Sequence, residues 1–508
     1  MSVSIHSRNP NNNKNTMSKF SNKRAVASAS KQAQRPDIIN FACSPAHSQT
    51  AKLELTSLVL TSFLKDQFYR TEAATVATIN RLLPMVGADY AAKLAVFARN
   101  EYGMRSVSHY LAAQIARTVK GASWTRNFYR AVIRRPDDIL EILACYIELN
   151  GKRGKINNAL KRGLGDKLTE LSEHAIAKYR KDGAALSMID AVNICHPKHT
   201  VALEKLMKGK LETADTWETA ITAAGQVDTA EVTVEDAKDT AWARLLTENK
   251  LPYFALLRNL RNIAEQSKES LALACVKLVD EKAIAKSLVL PFRFISAVEA
   301  IEASSITAGQ KQQIMVALTD AVDLSLSNAP ELPGKTLVAL DDSGSMTGVW
   351  KKASLFAAVI AKRNAADLLC FSTTATYRTV NIRNPVLTIA QNIQFGGGGT
   401  NFPAIFQAAQ RNGVKYDRVV IISDMQGWIG GNTPALAFKD YCRATKASPK
   451  IHSFDLQGYG SMQFPEKDVF CMSGFSEKVF EVMRVVEQDR EALVHRVEAV
   501  TFSHATTE

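Results

Sequence analysis

The sequence predicts a mainly α chain that passes into an α/β unit, and three observations carry that prediction. Apolar residues recur every three or four positions from about Leu53 to Ser327, the spacing of amphipathic helices. The composition then shifts at "NAPELPGK" (328–335). Beyond it, apolar β-branched runs that end in polar residues alternate with helical stretches.

The bulk numbers agree with a soluble-type globular composition: 508 residues, 46% hydrophobic and 22% charged. That usage excludes collagen-like, disordered and disulfide-scaffold classes. Lys, Arg, Asp or Glu interrupt every long apolar stretch, so no membrane span is expected. The first residues lack the apolar core of a secretory signal. Seven scattered cysteines without a C-x-x-C pair suit free thiols in a reducing compartment, and a cytoplasmic location is expected.

Residues 1–50 read as a basic disordered arm, with seven Lys and Arg (Arg8, Lys14, Lys19, Lys23, Arg24, Lys31, Arg35) against Asp37 alone. Residues 51–330 read as a helical array. Its segments include "LELTSLVLTSFLKDQFY" (53–69), "VSHYLAAQIARTV" (107–119), "DDILEILACYIEL" (137–149), "YFALLRNLRNIAE" (253–265) and "LALACVKLVDEKAIAKSL" (271–288). More than a dozen such helices with short breaks favour pairwise stacking in a HEAT-like solenoid over one bundle. Residues 336–508 read as a doubly wound sheet. Its strands are "TLVALD" (336–341), "DLLCFST" (367–373), "RVVIISD" (418–424) and "KIHSFDLQG" (450–458). Helices such as "WKKASLFAAVIAKR" (350–363) and "SEKVFEVMRVVEQ" (476–488) lie between or after them.

In "LVALDDSGSM", Asp341, Ser343 and Ser345 follow a buried strand. Thr400 follows four glycines in "FGGGGTNF", and Asp424 closes "RVVIISD". All five side chains fall at the carboxyl edge of one sheet. Carboxylate and hydroxyl oxygens are hard ligands suited to Mg²⁺ with an open position, a reading favoured over helix capping. Cys195, His196 and His199 in "NICHPKHT" lack a second ligand pair at zinc spacing. No nucleophile elbow or Walker loop is present, so catalysis is not expected.

Charge is unevenly placed. Residues 336–508 hold 18 Lys and Arg against 16 Asp and Glu, a net of +2, which leaves +11 of the total +13 for residues 1–335. An excess of that size points to a polyanion, nucleic acid before membrane. It is densest in "GKRGKINNALKRGLGDKL" and "AIAKYRKDG", which contain Lys152, Arg153, Lys155, Lys161, Arg162, Lys178, Arg180 and Lys181, with Tyr179 among them.

The helical region followed by this metal motif resembles the TROVE-domain family, the Ro autoantigen and its bacterial Ro-related (Rsr) proteins. The resemblance rests on "GKINNALKRGL", "AIAKYRKDG" running into "ICHPK", "LPYFALLRNLRNI", "LPFRFISAVEAIE" and the ending "MSGFSEKVFEVM". The D-x-S-x-S with its later Thr and Asp is similar to the metal-ion-dependent adhesion site of von Willebrand A domains. The resemblance implies a ring of HEAT-like helix pairs, then a von Willebrand A domain. It implies small noncoding Y RNAs on an outer basic face and single-stranded ends of misfolded or immature RNAs in a central hole. It also implies work beside an exoribonuclease such as polynucleotide phosphorylase, with the chain a monomer. Carried onto this sequence, the Y RNA face takes Lys178, Arg180, Lys181, His196 and Lys198, with Lys161 and Arg162 nearby, and the hole takes Arg99, Arg105 and Arg258. The alternative is a metal-dependent interaction scaffold that binds acidic partners through the A domain.

Overall fold

The computed structural model describes residues 38–39, 45–46, 50–61, 72–151, 156–179, 186–227, 232–267, 269–329, 331–427, 433–456, 463, 469–473, 483 and 492–502. Apart from 38–39, 45–46 and 50, the basic arm therefore lies outside the described residues, together with Lys152, Arg153, Lys155, Arg180 and Lys181. So does all of "SEKVFEVMRVVEQ" except Met483.

A two-residue antiparallel pair, β1 (Ile38–Ile39) and β2 (Pro45–Ala46), precedes the helices. The array then runs α1 (Ala51–Thr61), α2 (Glu72–Val86), α3 (Ala88–Glu101), α4 (Ser106–Thr118), α5 (Thr125–Val132), α6 (Pro136–Asn150), α7 (Asn158–Thr169), α8 (Glu173–Tyr179), α9 (Met188–Cys195), α10 (Val201–Met207), α11 (Trp217–Ala224), α12 (Val234–Thr247), α13 (Tyr253–Gln266), α14 (Glu269–Leu278), α15 (Glu281–Ser287), α16 (Ile295–Glu302) and α17 (Ala308–Ser325). Helices pack on their first or second neighbours in sequence, α3 on α4, α4 on α6 and α5 on α7, the pattern of a stacked array.

The α6 start shows how local sequence sets these ends. Pro136 occupies the first turn, where its missing N–H costs nothing, and Asp137 and Asp138 follow at the positive end of the helix. Asp138 Oδ2 accepts the backbone N–H groups of Arg134 and Arg135, both at 3.0 Å. The segment expected as one helix over 271–288 is instead two. Asp280 caps α15, its Oδ1 accepting from Lys282 N at 2.9 Å and Ala283 N at 3.1 Å.

After a short 3₁₀ turn the chain enters the sheet: β3 (Thr336–Asp341), α18 (Trp350–Arg363), β4 (Asp367–Phe371), β5 (Ala375–Arg378), α19 (Val386–Asn392), α20 (Phe402–Asn412), β6 (Arg418–Ser423), α21 (Pro434–Thr445), β7 (Lys450–Asp455), β8 (Val469–Ser473) and α22 (Ala492–Glu498). Strand order is β5-β4-β3-β6-β7-β8, parallel except for the edge strand β5. β5 and β8 were not expected from sequence. Alternate residues of β3 serve opposite faces: Val338 and Leu340 join the core that contains α18, and Leu337 and Ala339 join the one built on α20 and α21. Burying both faces explains the unbroken apolar strands. The order reverses between β3 and β6, so a crevice opens at their carboxyl ends, where Asp341 and Asp424 sit.

The sheet is fastened to the array at two places. Asp323 of α17 accepts from Lys362 Nζ at 2.7 Å and from Val386 N at 2.8 Å. The connecting segment is itself pinned, with Leu332 N donating to Asn364 Oδ1 at 2.7 Å and Arg363 Nε to Ala329 O at 2.9 Å. At the far end α22 packs on α1 and α3, where Lys52 pairs with Glu498 at 2.5 Å. Phe502 stacks on Trp124 with centroids 5.5 Å apart. The end of the described chain thus returns to the first helices of the array.

Candidate nucleic-acid interface and metal centre

The crevice gathers the predicted metal residues. Asp341 Oδ1 accepts from Ser343 N at 2.9 Å, and Ser343 Oγ lies 3.4 Å from Ser345 Oγ. Ser423 Oγ, which motif reasoning missed, donates to Asp341 Oδ2 at 2.5 Å and accepts from Met425 N at 3.0 Å. The glycine loop is tied in through Gly344 N, which donates to Gly398 O at 3.0 Å, two residues before the buried Thr400. Gly396 fits where a Cβ would lie 2.6 Å from Asp342 Oδ2, so the loop approaches as only glycine allows.

Burial, then the neighbouring Asp424 charge, pushes the Asp341 carboxyl above the usual carboxylate range. Burial does the same to Asp424. Asp424 Oδ1 accepts from Gln426 N at 3.1 Å, but its buried Oδ2 has no hydrogen-bond partner. Two buried carboxylates in electrostatic contact, one with an unsatisfied oxygen among serine hydroxyls, fit a hard divalent cation.

The predicted RNA residues divide differently from expectation. Arg99 is buried at 7% exposure, with Nε and Nη2 both on Asp138 Oδ2 at 3.1 and 2.8 Å. It is a core ion pair rather than a phosphate contact. Arg105 is half-buried and divided between Asp137 Oδ2 at 2.8 Å and Asp138 Oδ1 at 3.3 Å. Both corrections have one cause: the two aspartates that start α6 draw the guanidiniums inward.

Lys178, expected beside His196, lines a cavity of 330 Å³ with Arg258, which was expected elsewhere. Its Nζ is 3.7 Å from Glu218 of α11. Arg135, Tyr179 and Trp217 complete that cavity's wall. Arg135 is aimed by Asp137, its Nε and Nη2 each 3.0 Å from a carboxylate oxygen, and lies over the Tyr179 ring at 5.1 Å. Arg258 also lines a second cavity of 380 Å³, with Phe254, Arg261 and Arg293. A cationic and aromatic wall therefore follows the exposed face of α13 at 254, 258 and 261.

His196, Lys198, Lys161 and Arg162 form a separate group around α7 and the end of α9. Arg162, His196 and Lys198 are exposed. The Asp166 carboxyl is held below its usual range first by the Arg126 hydrogen bond and last by the Lys198 charge. Burial pushes the neighbouring Cys195 thiol up to about 12, with Lys161 opposing weakly. The tight contact of α7 with the end of α9, where a Cβ on Gly165 would lie 3.3 Å from Cys195 O, sets these cations side by side.

Residues 202–331 match the TROVE domain model. The RNA-binding protein RO60 of Deinococcus radiodurans is 24% identical over 398 residues, covering 67% of this chain and 73% of that protein. The crystal structure of the Deinococcus radiodurans Ro (Rsr) protein superposes with a TM-score of 0.57 at 20% identity, covering 87% of this chain and 100% of that one. Residues 202–331 are thus similar to a TROVE domain, and the chain has the fold of the Deinococcus Ro protein, a long helical array with an α/β sheet after it.

Proposed function

We propose that the chain is a non-enzymatic RNA-binding scaffold. The observation that carries this reading is the wall of two cavities that share Arg258 of α13, lined by Arg135, Lys178, Arg258, Arg261 and Arg293 together with Tyr179, Trp217 and Phe254. Cations track a phosphate backbone and rings stack unpaired bases, the combination that takes single strands. The wall therefore takes single-stranded ends of misfolded or immature RNA. The face formed by Lys161, Arg162, His196 and Lys198, with Arg180 and Lys181 assigned to it from sequence, takes a small folded RNA of the Y class. The scaffold acts as a cytoplasmic monomer that presents such RNA to an exoribonuclease of the polynucleotide phosphorylase kind.

Asp341, Ser343, Ser345, Thr400 and Asp424 would hold Mg²⁺, which when bound supplies a Lewis-acidic position for an outside oxygen. The unpartnered Asp424 oxygen favours, as a second role, metal-dependent capture of an acidic partner at this edge.

Salt titrations of binding to two ligands test the RNA reading: a 12-nucleotide oligouridylate and a folded hairpin RNA. Arg258→Ala should weaken the oligouridylate and lower its log–log salt slope by about 0.7. Lys161→Ala with Arg162→Ala should act on the hairpin instead. Wild-type protein that binds neither ligand refutes the scaffold reading, and equal losses on both ligands refute the two surfaces.

A further inference from the structure

The 380 Å³ cavity is not confined to the helical array. Its wall includes Lys352, in the first turn of α18, only seven residues beyond Ser345 of the metal motif. The same cavity is lined by Arg258 and Arg261 of α13 and by Arg293, which precedes α16. All four cations are exposed, and among the described residues no carboxylate lines the cavity. Among the described residues Arg258 and Lys352 make no ion pair, and Arg261 has only Glu265 at 4.0 Å. Arg258, Arg261 and Lys352, with Arg293 beside them, give the hollow a positive potential that a polyanion relieves. Phe254, 36% exposed, also lines it, with the short side chains of Ser296, Ala297 and Ala300. The volume falls near the lower end of the ~300–1,000 Å³ typical of small-ligand sites, room for about one nucleotide unit.

We infer that the single-strand RNA site is composite: Lys352 of the C-terminal α/β domain, with Arg261 and Arg293 of the helical array, holds one backbone phosphate while Phe254 stacks a base. This rests on the RNA reading above and adds a role for the second domain. The neighbouring residue supplies a contrast. Lys351 points to a different groove, lined by Ile295, Val298 and Leu387, and lies 3.6 Å from Glu302. Two adjacent lysines on one helix turn therefore serve different surfaces, and only Lys352 belongs to the cationic cavity. Because Asp323 and the pinned connection hold α18 against the array, the Lys352 backbone is in place before RNA arrives, and only its side chain must order on contact.

The test uses the full chain, 12-nucleotide oligouridylate and salt titration, with Lys352→Ala compared with Lys351→Ala. Both variants remove one positive charge from an exposed position, and unchanged circular dichroism checks the fold. Loss of one single-strand phosphate contact removes about 0.7 from the salt slope, which at 0.1 M salt is about fivefold in affinity. Lys352→Ala should show both changes and Lys351→Ala neither. Equal behaviour of the two variants overturns the proposal, whether both weaken through general charge or both remain at wild-type affinity. Phe254→Leu should weaken oligouridylate and leave an abasic strand of the same length unaffected; equal effects overturn the stacking contact. A 12-residue polyglutamate peptide that displaces oligouridylate as well as oligouridylate itself does would assign the cavity to acidic protein and overturn the proposal. Wild-type protein that fails to bind oligouridylate at all refutes the broader RNA reading, a result distinguishable from each of these.

Discussion

Asp138 holds together more of the helical array than any other side chain described above, and Asp138→Asn is the substitution that measures it. The carboxylate is fully buried. Its Oδ2 accepts from Arg99 Nε and Nη2 and from the backbone N–H groups of Arg134 and Arg135. Its Oδ1 lies 3.0 Å from His109 Nε2 and 3.4 Å from Arg105 Nε. Asparagine keeps one acceptor, presents an NH₂ to donors, and leaves the Arg99 charge buried without a counter-ion. Breaking a buried pair from one side costs about 3–5 kcal/mol. At ~2–4 °C per kcal/mol for a unit of 150–250 residues, the helical melting transition should fall by roughly 6–20 °C.

The same carboxylate sets a pH dependence. Burial opposes its charge, but the His109 hydrogen bond and the Arg99 charge outweigh burial and hold the carboxyl well below the usual range. A depressed folded pKa means the stabilisation is fully present above the unfolded value of about 3.9 and is lost as pH falls toward the folded one. Melting followed by circular dichroism should therefore show a constant gap between wild type and Asp138→Asn from pH 8 to 5, narrowing below about pH 4. Adding Arg99→Met to Asp138→Asn should recover part of the loss, because no charge is then stranded in the core while the amide oxygen can still accept from the Arg134 and Arg135 N–H groups. Asp138→Asn melting within about 2 °C of wild type at pH 7 would refute the reasoning.

Asp341→Ala should abolish Mg²⁺ binding measured by calorimetry, and with it the stabilisation of about 2.7 kcal/mol that wild type gains at a hundredfold excess over Kd; oligouridylate affinity should stay within about twofold. Gly163→Ala places a Cβ 2.6 Å from Tyr129 Cβ and 2.9 Å from Arg126 O, so forcing α7 from α5 should cost about 1–3 kcal/mol in chemical denaturation. Glu218→Gln releases Lys178 from its carboxylate neighbour, and oligouridylate should bind up to about fivefold tighter, the ~0.2–1 kcal/mol of an exposed pair. Limited proteolysis should spare 331–335, whose backbone is bonded to Asn364 and Asp417; rapid cleavage there would contradict the docked arrangement.

Elements whose signal is local were legible before the structure. The 3.6-residue periodicity marks the helices, and the β-branched runs of β3, β4, β6 and β7 mark buried strands. Asp341, Ser343 and Ser345 lie within five residues, and Asp424 is marked by ending its strand. The break at Asp280 was hidden because "LVDEKAI" continues the helical spacing across it, and only the cap's hydrogen bonds reveal the stop. β5 was hidden for a different reason. "ATYR" is four residues at a sheet edge with none of its side chains fully buried, so nothing required an apolar pattern.

The basic surface was legible in amount and not in position, and the reason is electrostatic. A net charge of +11 over residues 1–335 says that cations exceed carboxylates, yet each arginine's availability depends on whether folding brings a carboxylate to it. Arg99 and Asp138 are 39 residues apart, and Lys178 and Glu218 are 40. No periodicity links such positions. The Asp137–Asp138 pair was legible as a helix start, and that local role is what makes its long-range one predictable after the fact. Two carboxylates buried at a helix N-terminus must find cations, so the arginines nearest them in space become structural. Arg135 does both: held by Asp137 on one side, it meets Tyr179 on the other. The cations left for RNA are those that no buried carboxylate draws inward. That criterion selects Arg258 and Lys352 over Arg99, and it places one of them on the domain whose own net charge is only +2.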